Sequence, residues 1–381
     1  MELGETTKQV VEKAEAIHSV AELFCGAGGM ALGFKRARIC DSDGVPHRFA
    51  IVWANDADHW ACETYRRNIG AHVIECPVEK LDFRSLPDVE GLLFGFPCND
   101  FSVVGDRLGL SGYFGGLYVH AVRCIEEKNP LWFVAENVPG LRSAKGRKGT
   151  ALSAVLEDLS KVGRGYELTA HLFRFEDYGV PQIRHRIIIV GFRRDTGLAF
   201  RVPAPTHLGR PVTVEEALVG VEQVPHNNEK PRHSAKVVEL LKHIPEGANC
   251  WHPAVPDALR LNVVGCRISL IYRRLARNAP AYTVTGNGGG GTHMYHYAEP
   301  RALTNRERAR LQTFPDNFIF YGPKEAVRSQ IGGAVPPLGA QVIAEAILKT
   351  IAGMPYTDVQ ASICEPPRHQ LKFEFAALPC S

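Results

Sequence analysis

The sequence predicts an α/β fold, a Rossmann-like sheet with a second, smaller irregular domain, and three observations carry that reading. Short apolar runs recur, each stopping at glycine, proline or an acidic residue. The first leads through a glycine cluster into a helical pattern, and after residue 192 a proline-punctuated basic stretch replaces this rhythm. At 381 residues, 45% hydrophobic and 22% charged, the chain can bury a large core and is expected to divide into two domains.

Taken in order, Val10, Val11, Ala14 and Ile17 fall at helical spacing, so residues 1–18 read as an amphipathic helix packed on the first domain. His18 to Phe24 is strand-like, and Phe24-Cys25-Gly26-Ala27-Gly28-Gly29 turns into a helix through Leu32, Phe34 and Ala37. Glycines there let the backbone approach a ligand, and a helix start offers unpaired N–H groups to an anion. The next strand, Phe49 to Trp53, ends at Asn55-Asp56, where a carboxylate can take a pair of ribose hydroxyls. Gly26-x-Gly28-x-x-Ala31 also fits a dinucleotide fingerprint, so the glycines leave NAD and S-adenosylmethionine both open.

Leu92 to Phe96 reads as a buried strand that Pro97 ends, presenting Cys98 on a tight turn. A second run, Leu131 to Ala135, stops at Glu136-Asn137-Val138-Pro139-Gly140. Two strands thus deliver a thiol and a carboxyl to one sheet edge, where ligands bind in open α/β sheets. The pair suggests a thiolate nucleophile and a proton donor; the alternative for Cys98 is the usual fate of a free cysteine, a small buried hydrophobe.

These segments, with others in order, resemble the cytosine-C5 DNA methyltransferases. Phe24-x-Gly26-x-Gly28-Gly29 is similar to the family's cofactor loop, Pro97-Cys98-x-x-Phe101-Ser102 to its nucleophile loop, Glu136-Asn137-Val138 to its acid motif and Gln182-x-Arg184-x-Arg186 to its arginine motif. Arg301 to Pro315 resembles its penultimate motif and Gln330 to Pro337 its last. The resemblance spans residues 19–351. It implies a catalytic, S-adenosylmethionine-binding domain over 19–192 completed by 330–352, a target-recognition domain over 193–300, a hinge over 301–329 and a tail over 353–381.

The resemblance implies that Cys98 adds to C6 of cytosine, that Glu136 with Asn137 beside it supplies a proton to N3, and that C5 then attacks a methyl sulfonium. It places Arg186 against the ring and Arg184 near the active-site loop or the phosphates; the alternative is two solvated strand-edge arginines. Phe24, Gly26, Ala27, Gly28, Gly29, Asp56, Phe96, Pro97, Ala334 and Val335 would hold S-adenosylmethionine, with S-adenosylhomocysteine as product. A free thiol ionises near pH 8.5, so Cys98 needs positive charge or oriented N–H groups nearby. Glu136 needs the reverse, desolvation or the electron-rich base, to keep its proton.

A base stacked in a duplex must be flipped out to be reached, which calls for a second DNA-facing element. Residues 182–280 carry 15 Lys and Arg against 8 Asp and Glu, whereas the whole chain is only +3, so the basic excess concentrates there. Ser102, Gln182, Thr283, Thr285, Arg273 and Arg274 are the expected nucleic-acid contacts, with Thr283 resembling the family threonine at the flipped nucleotide and the glycine run after Gly286 lying close to DNA.

The chain departs from the family pattern at three places. Asn99 stands for the usual glutamine, Gly333 for a common asparagine, and Pro77 for the aspartate that meets the adenine amino group, leaving Glu75 or a backbone carbonyl to replace it. No 18-residue apolar run or basic-then-apolar start is present, so neither membrane nor secretion is expected; ten cysteines without a Cys-x-x-Cys pair speak against zinc or a disulfide scaffold and for a reducing cytoplasm, near the nucleoid. The leading reading is a monomeric methyltransferase of double-stranded DNA, with a cognate restriction endonuclease acting separately. A tRNA-directed relative lacks support because its Cys-Phe-Thr tripeptide is absent, an inactive DNA-binding homologue because Cys98 and Glu136 are intact, and a dehydrogenase because the arginine motif would go unexplained.

Overall fold

A computed structural model describes residues 13–96, 116–146, 149–261, 269–286 and 290–363. In chain order, β1 (Ala16–Leu23) enters the glycine turn and α1 (Gly29–Arg36), followed by β2 (Arg38–Cys40), β3 (Pro46–Asp56), α2 (His59–Asn68) and β4 (Val73–Glu75). Then come β5 (Gly91–Gly95), α3 (Gly116–Lys128), β6 (Trp132–Asn137), a small hairpin of β7 (Lys145–Gly146) and β8 (Gly149–Thr150), α4 (Ala151–Lys161), β9 (Tyr166–Arg174) and β10 (His185–Arg193). The remainder holds β11 (Val202–Pro203), α5 (Val214–Leu218), α6 (Ala235–Lys242), α7 (Asn305–Leu311), α8 (Lys324–Gly333), α9 (Pro337–Ile351) and β12 (Asp358–Val359).

The main sheet has the order β2-β3-β1-β5-β6-β10-β9, with β4 beside β3. β1 is parallel to β3 and to β5, β5 is parallel to β6, and β10 runs antiparallel to both β6 and β9. From central β1 the chain goes first to β3 on one side and later to β5 on the other. That reversal opens a crevice at the carboxyl ends of these strands.

Alternation along buried strands explains both faces of the sheet. Ala21, Leu23, Leu92, Phe94, Phe133 and Ala135 pack with α3 and α4, while Val20, Leu93, Trp132 and Val134 pack with α1 and α9. Gly33 allows α1 and α9 to touch, since a Cβ there would lie 2.5 Å from that of Ala340. The last helix therefore returns beside the first turn of the chain. Lys324–Ile351 is long and apolar enough by length and composition alone to cross a membrane; it is two helices broken at Ala334–Pro336 and 67% of its most apolar window is buried in the fold.

One expectation is corrected at the start of the chain. Ala16 to His18 are strand, because their backbone pairs with His47 to Phe49 of β3, and Ile17 is half exposed; residues 1–12 lie outside the described residues. Beyond β10, Leu240, Leu241, Ile244, Cys250, Val255, Tyr295 and Ala302 form a small apolar cluster of their own. The glycine run at 287–289 also lies outside the described residues.

Candidate active site

Four strand ends meet at one cavity of about 220 Å³. β1 contributes Glu22 and the Phe24–Ala27 turn, β3 contributes Asp56, β5 contributes Gly95 and β6 contributes Glu136; Ala334 and Val335 close it from the corner between α8 and α9. The turn is held by its own backbone. Gly28 at φ 87° caps α1 and donates to the Cys25 carbonyl at 2.9 Å, and Phe24 adopts a φ of 55°, a conformation uncommon for a side-chain-bearing residue. Gly29 permits contact with the α8–α9 corner, since a Cβ there would lie 2.4 Å from the Val335 carbonyl oxygen.

Asp56 is engaged from two sides. Its Oδ2 accepts the Gly26 N–H at 2.8 Å and its Oδ1 that of Asp58 at 2.9 Å, while Asp58 caps α2 by accepting the Ala61 N–H at 2.7 Å. The amide that a phosphate would use in this turn is thus taken by a carboxylate. Among the described residues Glu22, Asp56, Asp58 and Glu136 line the cavity and no lysine or arginine does, so this lining opposes a pyrophosphate and suits a cation. The choice left open by the glycines falls against a dinucleotide.

Sequence reasoning missed Glu22. It is 2% exposed, its Oε2 has no hydrogen-bond partner among the described residues, and burial, then the neighbouring Asp56 charge, raises its pKa well above the ordinary carboxyl range. Asp56 is raised too, chiefly by burial. An orphaned acid oxygen facing a cavity is a place for a positively charged or donating ligand group. The signal was present as the one acidic residue within Val20-Ala21-Glu22-Leu23.

At the other end of the cavity, Arg186 Nε lies 2.8 Å from Glu136 Oε1, with both side chains nearly buried, and Arg186 also donates to the His185 carbonyl. Asn137 is buried and donates to the Phe96 carbonyl at 3.0 Å, tying the exit of β5 to that of β6. Pro97, Cys98, Asn99 and Ser102 lie outside the described residues; the chain leaves β5 two residues before Pro97, in register with Glu136.

Five expectations are corrected by their surroundings. Phe96 turns its ring into the core against Phe94 and Tyr118 and is absent from the cavity lining. Arg184 is 1% exposed and donates to the carbonyls of Val284, Gly332 and Ala334, so it is a tie within the fold, not a ligand of phosphates. Gln182 is fully buried, donating to the Leu311 carbonyl at 2.7 Å and accepting from the Val284 N–H. Arg274 is buried on the carbonyls of His296, Leu241, Ile244 and Tyr297. Glu75 is engaged by His59 at 2.8 Å and Arg66 at 3.5 Å, and Pro77 opens a 3-10 turn. Buried guanidinium and amide groups saturate neighbouring carbonyls, and a count of charges cannot tell such groups from those that face solvent. Thr283 by contrast lies on the surface, its Oγ1 donating to the Ile183 carbonyl at 2.6 Å; Thr285 is exposed, and Arg273 stacks 5.3 Å over the Tyr282 ring. At Gly333 a Cβ would meet open space, and the corner is held by Arg184 through the carbonyls on either side.

An α/β sheet whose carboxyl edge gathers a glycine turn, an acidic ligand cavity and an arginine-paired glutamate is the framework of a Rossmann-like group-transfer enzyme. The family model for C-5 cytosine-specific DNA methylases matches residues 18–349. Type II methyltransferase M.BbvI of Brevibacillus brevis is 53% identical over 350 residues, 89% of this chain and 93% of that protein. Type II methyltransferase M.NgoFVII of Neisseria gonorrhoeae is 44% identical over 338 residues, 86% of each chain. Among solved structures, one assigned as a DNA modification methyltransferase encoded within an E. coli prophage superposes with a TM-score of 0.62 at 25% identity, covering 88% of this chain and 99% of that one. The chain belongs to the C-5 cytosine-specific DNA methylase family.

Proposed function

We propose that the protein methylates C5 of cytosine within a specific double-stranded DNA sequence, using S-adenosylmethionine, a flipped-out target base and a covalent link between Cys98 and C6. The observation that carries this reading is the pairing of Gly95 with Glu136 at the floor of an acidic cavity, on the strand that leads into Cys98. S-adenosylmethionine bears a sulfonium and an ammonium group, matching a cavity lined by carboxylates and an unpartnered Glu22 oxygen. The donor supplies an electrophilic methyl group and leaves as S-adenosylhomocysteine.

The chain's own groups do the rest. The Cys98 thiolate forms a bond to C6 as Glu136 gives a proton to N3, and the electron pair released toward C5 makes that carbon nucleophilic. After C5 is methylated, a base removes the C5 proton and the C6–S bond breaks, returning the thiolate. Arg186 holds the Glu136 carboxylate in place and neutralises it when the proton has gone. Thr283, Thr285 and Arg273 are the surface groups offered to DNA, and the relatives named as type II methyltransferases favour a restriction-modification setting with a separate endonuclease. Monomeric action in the cytoplasm, beside the nucleoid, is part of this reading.

Duplex DNA with 5-fluorocytosine at the target tests it, because fluorine cannot leave as a proton and the adduct persists. A denaturation-resistant protein–DNA complex whose peptide maps to Cys98 is expected. A mapped residue other than Cys98, or full methyl transfer by Cys98→Ala, would overturn the assignment.

A further inference from the structure

Helix α8 separates two cavities of opposite charge. Ala326, Ser329, Gln330 and Gly333 face the acidic one, whereas Lys324, Glu325 and Arg328, on the opposite side of the same helix, face a larger cavity of about 420 Å³. Four basic side chains, those of Arg232, Arg308, Lys324 and Arg328, line the second cavity against the carboxylates of Glu229 and Glu325.

Arg308 is the unusual member. It is 3% exposed, yet its guanidinium makes no hydrogen bond or ion pair among the described residues. The other buried arginines behave differently: Arg184, Arg274 and Arg306 each donate to several main-chain carbonyls, and Arg301 is paired with Glu299 and Glu307. Arg328 adds to the mismatch, because among the described residues its buried Nε has no partner and its Nη1 meets only His293 Nδ1 at 3.5 Å. Burial, then the like charge of Arg328, lowers the Arg308 pKa to about 10, and burial followed by the two arginines pushes His293 down to about 4. His293 is therefore neutral at pH 7, and the two guanidiniums line one cavity with no carboxylate in salt-bridge contact with either among the described residues. Desolvated charges without a counterion are costly, and folds keep them where a ligand supplies the opposite sign.

We propose that this cavity is a phosphate-binding site in which the guanidiniums of Arg308 and Arg328 hold one phosphate group. Planar forks of N–H donors match phosphate oxygens pairwise, and the cavity is wide enough for a phosphate still attached to a sugar. The phosphate belongs either to the backbone of bound DNA or to a free phosphate or nucleotide; only the first source rests on the proposed action on DNA.

The experiment uses the full chain at constant ionic strength. Melting temperature is followed while inorganic phosphate or pyrophosphate replaces chloride, for the parent protein, Arg308→Met and Arg328→Met. A saturable rise in the parent, lost in both variants, is expected, together with an Arg308→Met melting temperature in phosphate-free buffer at or above that of the parent, since an uncompensated buried charge has gone. Salt titration of duplex binding then separates the sources. A slope of log K against log salt shallower by about 1 in Arg308→Met assigns the phosphate to DNA, and an unchanged slope with lost phosphate stabilisation assigns it to a free anion. The proposal is overturned if the parent shows no saturable anion effect and an unaltered slope in both variants, if the variants keep the full anion effect, or if Arg308→Met melts well below the parent without phosphate, which would make Arg308 a scaffold residue.

Discussion

Gly95 and Glu136 lie side by side across β5 and β6, and a Cβ on residue 95 would sit 3.1 Å from Glu136 Oε2. That distance is tighter than ordinary van der Waals contact, so glycine keeps the space in which the carboxyl works. Gly95→Ala is expected to move the carboxyl by a few tenths of an ångström while leaving the buried strand intact. Methyl transfer should slow by about threefold to tenfold, with melting temperature close to that of the parent. An unchanged single-turnover rate would show that the carboxyl does not need this position.

Glu136→Gln keeps the shape of the side chain and removes the transferable proton. A loss of about 10² to 10⁴ in methyl transfer is expected, with DNA affinity preserved. Gel-shift titration beside single-turnover kinetics checks both halves, and a parental rate would remove Glu136 from the proton-donor role.

The sheet was legible because its strands are short apolar runs ended by Gly26, Pro97 and Pro139, residues whose backbone chemistry marks an edge wherever they fall. The gathering of Asp56, Glu136, Ala334 and Val335 around one turn followed from motif order. Roles that depend on what surrounds a side chain were not legible. Gln182 and Arg274 look like readers of DNA in sequence, and Arg184 like a neighbour of the active-site loop or the phosphates, but each is buried on carbonyl oxygens contributed by segments up to 150 residues away. Arg306 and Arg308 sit two apart on α7 and look alike; the first saturates the carbonyls of His226, Pro315 and Phe318, and the second has no such partner among the described residues. At the start of the chain, helical spacing at Ala14 and Ile17 lost to the edge that β3 offers for pairing.

Glu22 gives a pH-dependent handle on the cofactor cavity. Its folded-state pKa is raised, by burial first and Asp56 next, so between pH about 4.5 and that raised value the unfolded chain has released a proton that the folded chain retains. Unliganded stability from this residue is therefore present below pH about 4.5 and falls as pH rises toward the folded-state value. Glu22→Gln should abolish that fall, so its melting temperature should gain on the parent as pH increases. Cofactor affinity should move the other way: a cationic ligand favours the ionised acid, and the variant should bind S-adenosylmethionine about tenfold more weakly at pH 8, roughly 1.4 kcal/mol. Calorimetric titration at pH 6 and 8 reads this directly. Equal affinity in parent and variant at both values would remove Glu22 from the binding site.

Arg184 and Arg273 make opposite predictions although both belong to the basic stretch. Arg184→Met strips the buried carbonyls of Val284 and Gly332 of their side-chain donor and leaves that of Ala334 to Gln312 alone, and the segment carrying Thr283 loses its tie to the α8–α9 corner. Close packing at that corner leaves no room for water to take over, since a Cβ on Gly332 would already lie 1.9 Å from the Gly286 nitrogen. A loss of about 3 kcal/mol in denaturant unfolding is expected, and Arg184→Lys should not restore it because one ammonium cannot span three acceptors on two segments. Arg273→Ala removes a guanidinium that, among the described residues, only stacks on Tyr282. Its stability should stay within about 0.5 kcal/mol of the parent while the salt dependence of duplex binding falls by about one ion. Should Arg184→Met unfold like the parent and instead flatten that salt dependence, Arg184 would be a phosphate contact after all, and the division between scaffold and DNA-facing arginines would be reversed.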